Sequence, residues 1–113
     1  MCWKEEWAFA IRDITKAIQR IEKAKKKLEG RRDRAQKSYD ALYKDKRHRS
    51  VNALTTIQES IKKWNSAIKS CKRIIKYLEF QQHNLRFFIE KYGINLKTKG
   101  SERVQKILKE TFG

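Results

Sequence analysis

The chain has 113 residues and no proline, with 29 Lys and Arg against 13 Asp and Glu for a formal net charge of +16. That length holds one core, read as a single helical domain over residues 1–113, and 39% hydrophobic residues in regular spacing exclude a disordered chain. The cation excess favours a polyanionic partner, DNA, RNA or an acidic membrane surface, and says nothing about fold.

The first predicted helix covers residues 3–46. Its apolar positions recur three and four apart at Trp7, Ile11, Ile14, Ile18 and Ile21, then continue through Lys25, Leu28, Arg32, Ala35, Tyr39 and Leu42. Gly30 interrupts this run at a cost of about 1 kcal/mol relative to Ala. The seam stays in phase across it, so one continuous helix is expected, with a break at Gly30 as the competing reading. Lys25 and Arg32 sit at inward positions, where their methylenes can lie on the seam while the charges reach water. Antiparallel pairing brings Arg32 near Trp64, with the cation over the indole face. Ala10, Ala17 and Ala24 recur every seven residues on the flank and offer a smooth strip for another helix.

Residues 47–50 (Arg-His-Arg-Ser) are the expected turn, with Ser50 or Asn52 capping the next helix. That helix, residues 51–92, carries the longest seam in the chain: Leu54, Ile57, Ile61, Trp64, Ile68, Cys71, Ile75, Leu78, Gln82, Leu85, Ile89 and Tyr92. Two long helices joined by a short connection become antiparallel neighbours. Beyond Cys71 the helix is apolar on other sides too, at Ile74, Tyr77, Phe80, Phe87 and Phe88. Gly93 and Ile94 read as a helix end, followed by a loop over residues 93–100. A third helix, residues 101–112, opens at Ser101 and presents Val104, Ile107, Leu108 and Phe112 on one face, which is expected to fold back over Phe80 and Phe87. The fold class is therefore all-α, a long, coiled-coil-like antiparallel helical hairpin with a short C-terminal helix. One seam buries little surface for so long a pair, so assembly into a dimeric bundle is expected.

Cys2 and Cys71 sit in dissimilar surroundings and imply no disulfide. Glu5, Glu6, Arg12 and Asp13 interrupt the N-terminal stretch, which predicts neither a signal peptide nor a membrane span and points to a cytoplasmic protein, or one housed in a particle or organelle. Nothing in the residues points to catalysis. His48 and His83 fall in different regions, no Cys/His/Asp/Glu set has metal-ligand spacing, no nucleophile has a base beside it, and no glycine-rich loop could cradle a phosphate. No cofactor is expected. The carboxylates read as ordinary helix-surface partners of cations four residues on, as in Glu22 with Lys26, Asp33 with Lys37, Asp40 with Lys44 and Glu59 with Lys63.

The cations are unevenly placed. Lys16 to Arg49 holds fourteen cations and five anions, whereas residues 1–15 hold two and three. A binding face is expected from Lys16, Arg20, Lys23, Lys27, Arg31, Arg34 and Lys37 on the first helix, Arg47 and Arg49 at the turn, and Lys69, Arg73 and Lys76 on the second helix. Such a face meets phosphates by charge and by Arg forks, and without a base-reading motif its sequence preference is weak. The competing reading is a solvated face that keeps the protein soluble. Tyr39 and Tyr43 lie beside the stripe, Tyr39 also belonging to the seam. From another class comes a small adaptor, inhibitor or scaffold protein, of the kind phages and mobile elements encode, that binds a protein partner such as the nucleic-acid channel of an enzyme. Its interface would be the aromatic set Tyr77, Phe80, Phe87 and Phe88. Membrane-surface binding is not expected, because each apolar face is already required by the other helix.

Overall fold

A computed structural model of the chain describes residues 3–45, 50–92 and 101–113. Three helices make up its regular structure: α1 (Trp3–Lys44), α2 (Val51–Lys91) and α3 (Ser101–Phe112). No strand occurs among the described residues. The chain divides into two units, Met1–Arg20 with Ile75–Gly113, and Ile21–Ile74.

Glu5 and Glu6 in the first turn of α1 and Lys44 in its last suit the helix dipole. The helix stops at Lys44, two residues before the expected end, although the Asp45 amide still donates to the Ala41 carbonyl at 3.2 Å. Ser50 caps α2: its Oγ accepts from the Ala53 amide at 3.3 Å, satisfying one donor that the first turn leaves free. At the other end α2 closes at Lys91, and the Tyr92 amide donates to the Phe88 carbonyl at 3.0 Å. Residues 47–49 of the expected turn at 47–50, the helix end at Gly93 and Ile94 and the loop to residue 100 lie outside the described residues. α1 runs through Gly30 without interruption.

In the unit of Met1–Arg20 and Ile75–Gly113, Ala8, Ile11, Ile89, Val104 and Ile107 form a fully closed core, ringed by Trp7, Phe9, Leu85, Leu108 and Phe112. All three helices contribute to it. The α3 face is the one its spacing predicts, but its seat differs from the expected one. It packs on Ala8 and Ile11 of α1 and on Leu85 and Ile89 of α2, leaving Phe80 61% and Phe87 57% exposed. The reason is angular. At about 100° per residue, Phe80 and Phe87 lie roughly 180° and 160° around α2 from Ile89, out of reach of any helix that packs beside Ile89. The groove between α1 and α2 also offers α3 two apolar walls instead of one. Phe112 ends in that groove, its ring 5.1 Å from the His83 ring and the Arg86 guanidinium 4.8 Å above it. The alanine that admits α3 is Ala8, at 0% exposure, whereas Ala10 and Ala17 of the expected strip are only half-buried and Ala24 is exposed.

Within this same unit the seam carries one buried polar side chain. Gln82, 5% exposed, donates from Nε2 to the Ile11 carbonyl at 2.9 Å and to Thr15 Oγ1 at 2.6 Å. Thr15 Oγ1 in turn donates to the Ile11 carbonyl at 3.2 Å. Tyr92, expected to close the seam, is instead 60% exposed and stacks on Phe88.

In the unit of Ile21–Ile74, side chains of α1 and α2 are joined by hydrogen bonds. Arg32 Nη1 donates to Asn65 Oδ1 at 3.4 Å, and about two turns further along α1 Tyr39 Oη accepts from Gln58 Nε2 at 3.0 Å. The seam residues Leu28, Ala35, Leu42, Leu54, Ile57, Ile61 and Trp64 are half-buried, and Ile68 is buried. Lys25 and Arg32 are half-buried as well, the partial burial expected of long cations lying along an apolar seam. The cation over the Trp64 indole is Arg31, its guanidinium 5.5 Å from the ring centroid, not the expected Arg32. Arg32 is drawn away by Asn65 and by Asp33, whose Oδ1 lies 3.2 Å from Nη2. The expected i,i+4 pairing of Asp33 with Lys37 thus gives way to its chain neighbour, and Asp40 accepts from Gln36 Nε2 at 3.0 Å. No helix among the described residues is long and apolar enough to cross a membrane.

Candidate nucleic-acid interface

Charge is divided unequally between the two units. Ile21–Ile74 contains seventeen Lys and Arg against six Asp and Glu, a net of +11, and the remaining residues carry +5. Because the seam claims the inner face of each helix, the cations at other heptad positions stand outward. In the unit of Ile21–Ile74, Lys23, Lys27, Arg31, Arg34 and Lys37 on α1 and Lys69 and Arg73 on α2 are all exposed. In the other unit Lys16, Arg20 and Lys76 are exposed. Arg47 and Arg49 lie outside the described residues.

Four cations converge around Gly30. Lys26, Lys27, Arg31 and Arg34 line a shallow depression whose floor is the Gly30 backbone. Helical spacing explains the convergence, since Lys26, Gly30 and Arg34 form one i,i+4 row and Lys27 and Arg31 the adjacent row. Arg31 lies over the Trp64 indole, and a guanidinium in a cation–π contact still has N–H donors to offer a further acceptor. Lys26 is the residue that sequence reasoning missed, having been assigned to Glu22. Its position one turn before Gly30 was the available signal.

Two further shallow grooves lie in the same unit. Gln36, Tyr39, Gln58, Ile61 and Lys62 line one, and Tyr39, Asp40, Tyr43 and Lys44 the other. The rings of Tyr39 and Tyr43 stack with centroids 6.1 Å apart and 19° between planes. Tyr39 is half-buried and its hydroxyl is engaged by Gln58, whereas Tyr43 is 55% exposed.

The expected protein interface lies in the unit of Met1–Arg20 and Ile75–Gly113. Tyr77, Phe80, Phe87 and Phe88 are all exposed, and α3 covers none of them fully. Phe88 meets Trp7 and Phe87 edge-on, at 6.0 and 5.8 Å between centroids. His83, on the flank facing α3, lies against Phe112. Among the described residues no three His, Cys, Asp or Glu side chains are grouped to hold a metal ion, and Cys71 is a free, half-buried thiol.

Chemically, the depression at Gly30 offers only donors and positive charge, which suits anion binding and supplies no general base or nucleophile. Compared with protein-family models, curated proteins and solved structures, the chain matches none.

Proposed function

We propose that this is a non-enzymatic, basic nucleic-acid-binding protein that contacts phosphates with weak sequence preference. The observation that carries this reading is the concentration of charge: a net of +11 in Ile21–Ile74, with its cations exposed on the outer faces of α1 and α2. Lys and Arg at helical spacing engage phosphodiester oxygens as point charges and forks, and each contact releases counterions. The two helices form one antiparallel hairpin in this proposal, supported by the opposed contacts Arg32–Asn65 and Tyr39–Gln58, and separately by Ile11 and Thr15 against Gln82. The chain acts in the cytoplasm or in a compartment where DNA or RNA is present.

Titration of labelled DNA and RNA at about 50 and 200 mM salt tests the reading. Four phosphate contacts predict an affinity loss of about a hundredfold over that range. A change smaller than about threefold, or no binding at the lower salt, would contradict it.

A second reading is favoured by the exposed aromatics Tyr77, Phe80, Phe87 and Phe88. Such a set on one helix is a docking surface, used by a second copy in a dimeric bundle or by a protein partner of a small adaptor or inhibitor. Self-association serves both readings, since a dimer would double the phosphate contacts.

A further inference from the structure

Among the described residues nothing requires glycine at position 30. It lies inside α1, where glycine costs about 1 kcal/mol relative to alanine. Its φ is not in the left-handed region, and a Cβ built there would meet nothing nearer than Arg34 Nη1 at 3.8 Å, an ordinary contact with the end of a flexible side chain. Neither a turn nor a close helix approach demands the missing side chain. What the glycine does create is the floor of the depression walled by Lys26, Lys27, Arg31 and Arg34. The nearby carboxylates, Glu29 and Asp33, do not line it, and Asp33 is engaged by Arg32.

We infer that this depression is a phosphate seat, in which a backbone phosphate of DNA or RNA approaches the α1 main chain at Gly30 closely enough for four cations to share it. The inference rests on the nucleic-acid reading and adds where the closest contact is made. A helical glycine approached only by the movable end of a side chain, here Arg34 Nη1, allows close approach of a ligand to backbone, a use that offsets its cost to the helix. Arg31 is the orienting member. With its guanidinium 5.5 Å from the Trp64 ring centroid, it has a cation–π partner that limits the side-chain freedom it loses on binding, and its fork can meet two phosphate oxygens. Lys26, Lys27 and Arg34 close the remaining sides as exposed charges.

The test compares equal charge losses inside and outside the seat, with a labelled DNA duplex and a labelled RNA hairpin as separate probes and wild-type helicity required of every variant by circular dichroism. Arg31→Gln/Arg34→Gln is expected to weaken binding about tenfold or more, and Lys37→Gln/Lys69→Gln, in the same unit but outside the depression, about threefold or less. Gly30→Leu keeps every charge and improves helix propensity while filling the floor, and is expected to weaken binding about fivefold or more. Equal losses for the two charge pairs, or Gly30→Leu binding as tightly as wild type, overturns the seat and leaves the broader reading standing. A wild-type chain that binds neither probe removes both. The probe that is bound more tightly identifies the nucleic acid.

Discussion

Gln82 and Thr15 are joined across the seam by a 2.6 Å hydrogen bond from Nε2 to Oγ1, and the same Nε2 donates to the Ile11 carbonyl at 2.9 Å. This is a buried polar clamp in the seam, and it sits where a slip of one heptad would put Ile75 or Ile89 against Thr15. A buried amide that finds partners in only one alignment fixes register at some cost in stability. Gln82→Ala, which removes the donor and opens a void, is expected to lower unfolding stability by about 2 kcal/mol. Gln82→Leu should be at least as stable as wild type, because apolar packing replaces the polar group. Urea unfolding separates these outcomes, and a leucine variant as weak as the alanine variant would rule out the register role.

Ala8 is fully closed against α3. A larger side chain there must push α3 out of its groove. Ala8→Leu is expected to cost about 1–3 kcal/mol by overpacking, with faster amide exchange across Ser101–Phe112. Ala10→Leu, at a half-buried position, should cost less. If the two variants exchange alike, α3 is not seated on Ala8.

Gly30 offers a stability prediction separate from binding. With helical backbone and only an ordinary 3.8 Å contact to the Arg34 side chain awaiting a Cβ, Gly30→Ala should stabilise the chain by about 0.5–1 kcal/mol. A destabilised Gly30→Ala in thermal unfolding would show that the fold itself needs the glycine, and the seat at this position would lose its main support.

The Arg31–Trp64 contact can be isolated by a double-mutant cycle. Both side chains are partly open to water, so the coupling between Arg31→Met and Trp64→Leu should be about 0.5–1 kcal/mol. The parallel cycle with Arg32→Met is expected to give no coupling beyond error, since Arg32 turns to Asn65 and Asp33. Coupling to Arg32 of the same size would restore the assignment made from spacing alone.

The exposed aromatic set separates folding from assembly. Phe80 and Phe87 contribute little to the closed core, so Phe80→Ser/Phe87→Ser should leave unfolding stability of the monomer within about 0.5 kcal/mol of wild type. Sedimentation velocity should show self-association weakened in the same variant. A large stability loss without change in association would place these rings in the core and remove them as a docking surface.

Sequence periodicity by itself determined that the chain is helical and which side of each helix turns inward. From Leu54 to Ile89 every seam position is at least half-buried, and α3 turns inward the four residues its spacing selected, Val104 and Ile107 buried and Leu108 and Phe112 half-buried. The Ser50 cap was legible for the same reason, since capping depends on residues within one turn. The outward cations followed by subtraction, because the seam claims the inner face. What only tertiary structure decided are choices between surfaces of similar apolarity or reach. Spacing made Phe80 and Phe87 a credible bed for α3, but the groove flanked by Ala8, Ile11, Leu85 and Ile89 offered two walls, and burial follows total contact area. Spacing put Arg32 beside Trp64, but the Asn65 and Asp33 acceptors engage Arg32 and the ring is left to Arg31. The depression at Gly30 likewise became visible only in three dimensions, because a missing side chain has meaning only through the neighbours that stand around the gap.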